Sequence, residues 1–324
     1  MGARGDVHGW GGLWLRRGPL ALGLVPQVGG RIMSLRWRER ELAWVHPAHR
    51  GARLDVGAAA DLSALRRRVG FVHWGGDKTW LAPQERWPDA VAFLDLDAGV
   101  WTATPSGAGA VAMTSPVCRE TGMRITRVVA LGDADGVFTV THVLENAGRA
   151  PATWGAWDVQ QLAAPGVAFL PRRTAGSAFA DGVKAYAAEG DSEGLRATVL
   201  RPLGDVVAID CATPRWCKYG ADADEGWVLG VQRLGDVHIA HVKAVVPDPA
   251  RRWGHGCAAE VFCAVTHPYF ELEVHGPLAT LAPGERAICV ERRWVGDVDA
   301  VPATRDAVRA LVARATSACA SLLR

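Results

Sequence analysis

The hydrophobic and polar positions of the chain alternate with a period of two, or form short apolar runs between turn residues. Both patterns are typical of strands in a packed sheet, because neighbouring side chains on a strand point to opposite faces. The segments with these patterns are 19–26, 31–37, 41–47, 91–99, 136–146, 152–162, 238–246, 257–265, 270–274 and 287–295. Strands at this density predict a sandwich or a barrel, and we expect an all-β fold, a large antiparallel β-sandwich.

Helical spacing is rare in the sequence. Residues 61–70 predict one short helix with Asp61 as its N-cap. The segment 304–324 is the strongest helical pattern, with apolar residues at helical spacing: Val308, Leu311, Val312 and Ala315. We expect residues 1–300 to form the sandwich and residues 301–324 to form an amphipathic helix packed on it. The alternative is that this helix binds a partner.

Composition and charge exclude several classes of function. The 36 basic and 34 acidic residues nearly cancel, which argues against a nucleic-acid-binding surface. The seven cysteines form no CxxC pair, so we predict neither a disulfide framework nor a metal site. No segment has the length of a membrane span, and the N-terminus lacks the pattern of a signal peptide. These features predict a cytoplasmic protein that binds neither membranes nor nucleic acid.

The densest mixture of aromatic and polar residues is the segment 73–89, HWGGDKTWLAPQERWPD. Gly75 and Gly76 permit a tight turn or a close approach of the backbone to a ligand. We expect this segment to be a substrate loop for a sugar, with aromatic faces for the C–H side of the ring and polar groups for its hydroxyls. The predicted contacts are His73, Lys78, Trp80, Gln84 and Trp87. The alternative is a loop whose polar groups satisfy one another.

A second candidate is the segment 154–162, WGAWDVQQL. Period-two alternation places Asp158 and Gln160 on one face of a strand, while Trp157 lies on the other. The polar face could line a binding site, or it could simply be solvated.

A third candidate combines two late strands. Glu271 and Glu273 project to one face, and Glu260 lies on the preceding strand. A partly buried carboxyl has a raised pKa and can act as a general base near neutral pH. The alternative is a polar stripe on the solvated face of an antiparallel sheet.

Two smaller groups complete the candidates. Arg215, Lys218 and Tyr219 could bind an anion or a sugar hydroxyl. His241 and Lys243 share one face of a strand and are further candidate ligand contacts, although a lone histidine in a strand is more often structural.

These segments resemble the galactose mutarotase-like (aldose 1-epimerase-related) superfamily. The resemblance rests on GGRIMSLRWRERELAW at 29–44, on the 73–89 segment, and on GHGCAAEVF, YFELEVHGPLATLAPGE and ERRW near the end. It spans about Gly29 to Trp294, and it is greatest for an uncharacterised bacterial branch with a GGDK–W–APQ–W loop. It implies a supersandwich fold and a small-molecule carbohydrate ligand.

The resemblance also implies roles for individual residues. His73 falls where relatives bind substrate, and Glu273 (or Glu271, or Glu260) falls near the catalytic base. The strand that carries a proton-donating histidine in relatives contains Trp157 and Asp158 instead. The implied activity is aldose 1-epimerisation without a cofactor. Glu273 would deprotonate O1, and Asp158, His73 or Lys78 would protonate the ring oxygen.

Two other functions remain possible from the sequence. The missing histidine favours a carbohydrate-binding or sensing protein without catalysis. A lyase or hydrolase on a related sandwich ranks last, because such lyases need a tyrosine or histidine base and the chain has three tyrosines, Tyr186, Tyr219 and Tyr269.

Overall fold

Two large antiparallel sheets face one another across the hydrophobic core, as the strand pattern predicts. The computed structural model describes residues 2–186, 199–212, 216–246 and 252–320. The strands in chain order are β1 Ala3–Val7, β2 Trp10–Arg17, β3 Leu20–Val25, β4 Arg31–Trp37, β5 Arg40–Glu41, β6 Asp77–Ala82, β7 Thr102–Pro105, β8 Ala110–Thr114, β9 Met123–Leu131, β10 Val137–Asn146, β11 Ala152–Ala163, β12 Gly166–Pro171, β13 Val183–Ala185, β14 Leu200–Leu203, β15 Val206–Asp210, β16 Cys217–Ala221, β17 Gly226–Leu234, β18 Val237–Val245, β19 Ala259–Cys263, β20 Tyr269–His275, β21 Ala279–Leu281 and β22 Arg286–Val298.

The order of strands brings distant parts of the chain together. Sheet 1 runs β1-β2-β3-β4-β6-β11-β20-β19-β16-β13, with β5 paired to β4 and β21 paired to β11. Sheet 2 runs β14-β15-β12-β17-β18-β22-β10-β9-β8-β7. The middle of sheet 1 therefore joins β6, β11, β20 and β19, which are the strands that carry most of the candidate residues.

The three α-helices among the described residues are α1 Leu62–Val69, α2 Leu94–Asp97 and α3 Arg305–Cys319. Asp61 caps α1 as predicted, since its Oδ1 accepts a hydrogen bond from the Ala64 amide at 2.9 Å. The apolar stripe of α3 packs on sheet 2 beside Trp227 and Trp294. The predicted C-terminal helix thus lies on the sandwich, and its last predicted residues, 321–324, lie outside the described residues.

Three predicted segments differ from the structure. Residues 41–47, predicted as a strand, belong to a strand only at Glu41, and Ala43 and Val45 form isolated bridges. Residues 91–99, predicted as a strand, contain the short helix α2, whose carboxylates find partners inside the molecule: Asp95 binds Arg119, and Asp97 binds Arg31. The segment 73–89, predicted as a loop, contributes strand β6 between β4 and β11. Asp77 and Lys78 are tolerated in the middle of the sheet because each has a buried partner of opposite charge.

Gly75 and Gly76 do allow the close backbone approach that the sequence predicts. Gly75 has φ +98°, and a Cβ at this position would lie 2.5 Å from the carbonyl oxygen of Trp44. The Gly76 amide donates to that same carbonyl at 2.8 Å. A side chain at Gly75 would therefore push apart the two chain segments that frame the start of β6.

Candidate functional site

The candidate site lies on the face of sheet 1 that points away from sheet 2, here called the outer face. On β20 the period of two places Glu271, Glu273 and His275 on this face, as the sequence predicts for the two glutamates. Their neighbours Leu272 and Val274 point toward sheet 2. Register then decides which residues of the adjoining strands share the outer face.

Five neighbouring strands form the surroundings of Glu273, and four of them carry charged side chains on the outer face: β6, β16, β19 and β20. On β11, Val159 lies between Lys78 of β6 and Glu273 of β20. On the other side of β20, Glu260 of β19 lies directly opposite Glu273. Strand β16 pairs with β19 and brings Lys218 to the same face. We call the following set the outer-face cluster: Lys78, Trp157, Lys218, Glu260, Glu271 and Glu273.

Lys218 lies between two carboxylates. Its Nζ is 3.0 Å from Glu273 Oε2 and 3.1 Å from Glu260 Oε2, and it lies 4.5 Å from the centroid of the Trp157 ring. Burial opposes the ammonium charge, but Glu260 and Glu273 outweigh it and hold the pKa of Lys218 above its usual value. Lys218 is therefore a fixed cation and is poorly suited to release a proton.

Glu273 is buried, and only one of its two carboxyl oxygens has hydrogen-bond partners among the described residues. Oε2 accepts hydrogen bonds from Trp157 Nε1 at 2.7 Å and from Lys218 Nζ at 3.0 Å. Oε1 is buried, with no hydrogen-bond partner in the part of the chain that the structure describes. Burial raises the pKa of Glu273 to about 8, with help from Glu260 and against the effect of Lys218. Because Oε2 is occupied as an acceptor, the proton of the neutral carboxyl belongs on Oε1.

Glu260 has the opposite character. Its carboxylate accepts a hydrogen bond from the Tyr186 hydroxyl, and its Oε2 lies 3.1 Å from His255 Nδ1 and 3.1 Å from Lys218 Nζ. Burial disfavours its charge, but Lys218 and His275 outweigh burial and hold the pKa of Glu260 well below its usual value. Glu260 is therefore an ionised residue that orients its neighbours, and its oxygens are already occupied.

Lys78 and Glu271 form a second buried pair on this face. Lys78 Nζ is 3.2 Å from Glu271 Oε1, which also accepts from Gln161 Nε2 at 2.8 Å. Burial lowers the pKa of Lys78, and Glu271 opposes this effect. The lysine also lies 4.6 Å from the centroid of the Trp80 ring. A lysine with a lowered pKa is a better proton donor than a solvated one.

His73 lies at the rim of the outer face and is half-buried. Its Nδ1 is 3.4 Å from the Tyr269 hydroxyl, and its ring centroid is 5.1 Å from that of His267. Burial lowers the pKa of His73, and His267 adds to this effect. At neutral pH the imidazole is therefore uncharged, which suits hydrogen bonding to a ligand hydroxyl.

Trp80 and Trp87 join Trp157 in an aromatic floor. The three ring centroids lie 5.1–5.5 Å apart. Trp87 Nε1 donates to the Leu81 carbonyl at 2.8 Å, and Trp80 Nε1 donates to Asp97 Oδ1 at 2.7 Å. Gln84 contributes its backbone amide, which donates to His255 Nε2 at 3.1 Å.

Four predicted site residues lie between the sheets and not on the outer face. Asp158 is opposite Val274 in the register and binds Lys243 Nζ at 2.7 Å. Gln160 lines a small internal cavity, and His241 Nε2 is 2.7 Å from Gln232 Oε1. This placement corrects two expectations: that Asp158 acts as a proton donor together with Glu273, and that Gln160, His241 and Lys243 contact the same ligand. The sheet separates all four from Glu273.

Asp158 belongs instead to a buried ionic group that joins the two sheets. Arg293 Nη2 is 2.8 Å from Asp158 Oδ1 and 2.8 Å from Glu291 Oε2, while Arg127 Nη2 is 3.1 Å from Asp158 Oδ2. Asp77 binds both arginines. We call this set the interior network: Asp77, Arg127, Asp158, Lys243, Glu291 and Arg293.

Three residues of the site were missed by sequence reasoning. His275 ends the FELEVH run, two residues after Glu273, so the same period of two could have identified it. His255 and Tyr186 reach Glu260 from segments outside the strands, and no local pattern marks them. Tyr219, by contrast, alternates with Lys218 on β16 and is buried in the core. Arg215 lies outside the described residues.

Two groups of side chains in the described ranges have the composition of a metal site, but neither suits a metal ion. In the first, ligand atoms of His255, Glu260 and His275 lie within 4.8 Å of one another. Because the Gln84 amide donates to His255 Nε2, the proton of this imidazole is on Nδ1, the atom that faces Glu260. The ammonium of Lys218 adds a further positive charge beside Glu260. These contacts suit hydrogen bonding and not metal ligation.

The second group is His142, Asp158 and Glu291 in the interior. Its carboxylates already bind Arg293 and Lys243. A metal ion would have to displace these fixed cations from a buried site, which is unfavourable.

Comparison with known proteins identifies the fold. A galactose mutarotase-like protein from Lactobacillus casei superposes with a TM-score of 0.57 at 9% identity, covering 88% of this chain and 100% of that one. A galactose mutarotase-related enzyme from Lactobacillus acidophilus gives 0.54 at 9% identity, with 90% and 99% covered. A galactose mutarotase-like protein from Clostridium acetobutylicum gives 0.51 at 7% identity, with 88% and 95% covered.

The chain has the galactose mutarotase-like fold. No protein-family model matches it, and no curated protein sequence matches it. At these identities the galactose mutarotase-like likeness concerns the fold alone. Within the described ranges, no helix is both long and apolar enough to cross a bilayer.

Proposed function

We propose that the protein binds a monosaccharide or sugar derivative on its outer face and interconverts the anomers of an aldose. One observation carries the proposal: Glu273 is a buried carboxyl beside a fixed lysine and an aromatic floor, and its Oε1 has no hydrogen-bond partner among the described residues. Its pKa of about 8 allows it to exchange a proton near neutral pH. The structural neighbours named for galactose mutarotase support a sugar as the ligand class. A cytoplasmic location remains a prediction from the sequence.

In the proposed reaction Glu273 is the base in its ionised form. Oε1 removes the proton from O1 of the sugar, the C1–O1 bond becomes a carbonyl, and the bond between C1 and the ring oxygen breaks. The open chain rotates about C1–C2, and reversal of these steps closes the ring on the other face. Lys218 and Trp157 keep Oε2 occupied, so that Oε1 is the oxygen that exchanges the proton.

Lys78 is the proposed proton donor to the ring oxygen. Its strand is two strands from that of Glu273, which separates their Cα atoms by about 9–10 Å, and both side chains are on the same face. This spacing can bracket a pyranose ring. Glu271 stays beside Lys78 and stabilises its protonated form when the ring closes again. His73, at the rim, is proposed to bind a hydroxyl of the sugar.

The test is exchange between anomers, followed by NMR for a panel of aldoses and their 2-amino and 2-acetamido derivatives. We expect the wild-type protein to accelerate exchange for at least one sugar, and Glu273→Gln to reduce the rate by about 10²- to 10⁴-fold. Glu39→Gln, an exposed glutamate in the β4–β5 turn, is the matched control and should leave the rate unchanged. No acceleration for any sugar would reject the enzymatic proposal.

Carbohydrate binding without catalysis is the second candidate. It is favoured by the outward-facing side chains of β11. Val159 lies between Lys78 and Glu273, Trp157 lies between Trp80 and His275, and neither offers a group that titrates. Saturable sugar binding without accelerated exchange would favour this candidate. If no sugar bound at all, both candidates would fail.

A further inference from the structure

The outer-face cluster contains one more carboxyl group than it has paired cations. In the described part of the chain, Lys78 forms an ion pair with Glu271 alone, while Lys218 is shared between Glu260 and Glu273. Three carboxyls therefore share two lysines. The deficit falls on Glu273, since Glu260 also accepts hydrogen bonds from Tyr186 and His255, and Oε1 of Glu273 accepts none in the described ranges.

Among the described residues, the other titratable groups around the cluster do not remove this deficit. Burial lowers the pKa of His275 to about 4, so it is neutral at pH 7. His255 donates to Glu260 from Nδ1, since its Nε2 accepts from the Gln84 amide, and Tyr186 keeps its proton because burial and Glu260 raise its pKa. Lys184 donates to the His255 carbonyl at 2.6 Å and lies over the Tyr186 ring, and it forms no ion pair with these carboxylates among the described contacts.

We propose that the ligand supplies the missing cation, and that the site prefers an aldose with an ammonium group beside the anomeric carbon, a 2-amino-2-deoxyaldose. This inference rests on the proposed function, because it assumes that a sugar reaches Glu273. The ammonium and the O1 hydroxyl are on neighbouring carbons, so both can approach Oε1, which has two lone pairs. A sugar with a carboxylate or phosphate in this position would add negative charge beside three carboxyls and is expected to bind worse.

Binding of an ammonium sugar has a consequence that a neutral sugar lacks. Near pH 6.5 the free protein holds a proton on Glu273, and the ammonium favours the ionised carboxylate. The carboxylic acid and the ammonium ion then form a carboxylate–ammonium pair, and one proton leaves to the buffer. A neutral sugar hydroxyl binds the protonated carboxyl and releases no proton.

The experiment is calorimetric titration of the full chain at pH 6.5 with three matched ligands of each configuration: the 2-amino sugar, its N-acetyl derivative and the parent aldose. The configurations are gluco, galacto and manno. Each titration is repeated in two buffers of different ionisation enthalpy, so that the number of protons released on binding can be determined. For the recognised configuration we expect the amino sugar to bind at least about tenfold more tightly than the other two, the scale of one charge-assisted hydrogen bond. The two buffers should report release of close to one proton per amino sugar.

Glu273→Gln should remove both the preference and the proton release, while Glu39→Gln should retain them. The proton count on the wild-type protein tests the inference even if Glu273→Gln fails to fold. Equal affinity for the amino sugar and the parent aldose, or binding without proton release, would overturn the inference and leave the proposed function standing. Absence of binding by every sugar would overturn both.

Discussion

The outer-face cluster and the interior network are both built from buried charges on neighbouring strands, but only one of them is balanced. In the interior, Asp77, Asp158 and Glu291 face Arg127, Lys243 and Arg293, and every one of these groups has an opposite charge within 3.5 Å. On the outer face three carboxyls share two lysines. The interior network joins the two sheets. In the outer-face cluster, Glu273 Oε1 has no hydrogen-bond partner among the described residues.

The difference appears in how each carboxyl titrates. Burial disfavours the charge of Glu291, but Arg293 and Lys243 outweigh it and lower its pKa to about 2. Burial raises the pKa of Glu273 to about 8. Lys218 opposes this rise but does not cancel it, because it is shared with Glu260. Equal burial thus produces a structural carboxylate where cations are sufficient and a proton-exchanging carboxyl where they are not.

Asp158→Asn should give the largest effect on stability. The substitution removes the negative charge that Lys243, Arg127 and Arg293 share at this position. Breaking a buried ion pair by removing one partner costs about 3–5 kcal/mol. Denaturant unfolding measures the loss. Glu273→Gln, by comparison, should change the free energy of unfolding by less than about 1 kcal/mol, because it removes an uncompensated carboxyl. Equal losses for the two variants would remove the distinction between the regions.

The two regions should also respond to pH in opposite directions. The folded-state pKa of Glu273 is raised, so its contribution to stability is present below about pH 4.5 and is lost as the pH rises toward 8. The folded-state pKa of Glu291 is depressed, so its contribution is present above about pH 4.5 and is lost as the pH falls toward 2. Between pH 5 and 8.5 the free energy of unfolding should therefore fall less steeply with pH for Glu273→Gln than for the wild type.

Glu260→Gln should shift the pH dependence of the reaction. Glu260 raises the pKa of Glu273 through its negative charge, so its neutralisation lowers that pKa. The pH profile of anomer exchange should move toward lower pH by about one unit. A rate that falls equally at every pH, with an unchanged profile, would mean that Glu260 acts only as a structural residue. Glu39→Gln again serves as the control.

Trp157→Phe should have the smallest effect. The ring remains available to Lys218 and His275, but the hydrogen bond to Glu273 Oε2 is lost, which is worth about 1 kcal/mol. We expect a several-fold fall in the rate of anomer exchange with little change in stability. A loss of rate as large as that of Glu273→Gln would show that the hydrogen bond to Oε2, and not the unpartnered Oε1, is the essential feature.

The sequence predicts a large share of the fold because alternation is a local property. It predicts that Glu271 and Glu273 share a face, and that Asp158 and Gln160 share another, and both groupings are found. It does not reveal which face of β11 points inward, since both faces of that strand carry polar residues and both are buried. Alternation alone therefore does not exclude Asp158 as a partner of Glu273, whereas the structure places it between the sheets.

The rest of the site depends on contacts between distant parts of the chain. Lys218 reaches Glu273 because β16 pairs with β19, and this strand order has no signature in either segment. His255 and Tyr186 contact Glu260 from segments whose hydrophobic and polar residues follow no regular period. The deficit of positive charge at Glu273 is likewise a property of five strands together, and it can be recognised only when they are assembled.

The most direct test of the account is an NMR pH titration of the glutamate side-chain carboxyl carbons in the wild type and in Glu273→Gln. The account predicts one carboxyl that titrates near pH 8 in the wild type and is absent from the variant. Solvated or fully paired carboxyls titrate below about pH 5. If every glutamate of the wild type did so, Glu273 would be an ordinary carboxylate whose charge is compensated, like those of the interior network. The proposed difference between the outer-face cluster and the interior network would then be contradicted.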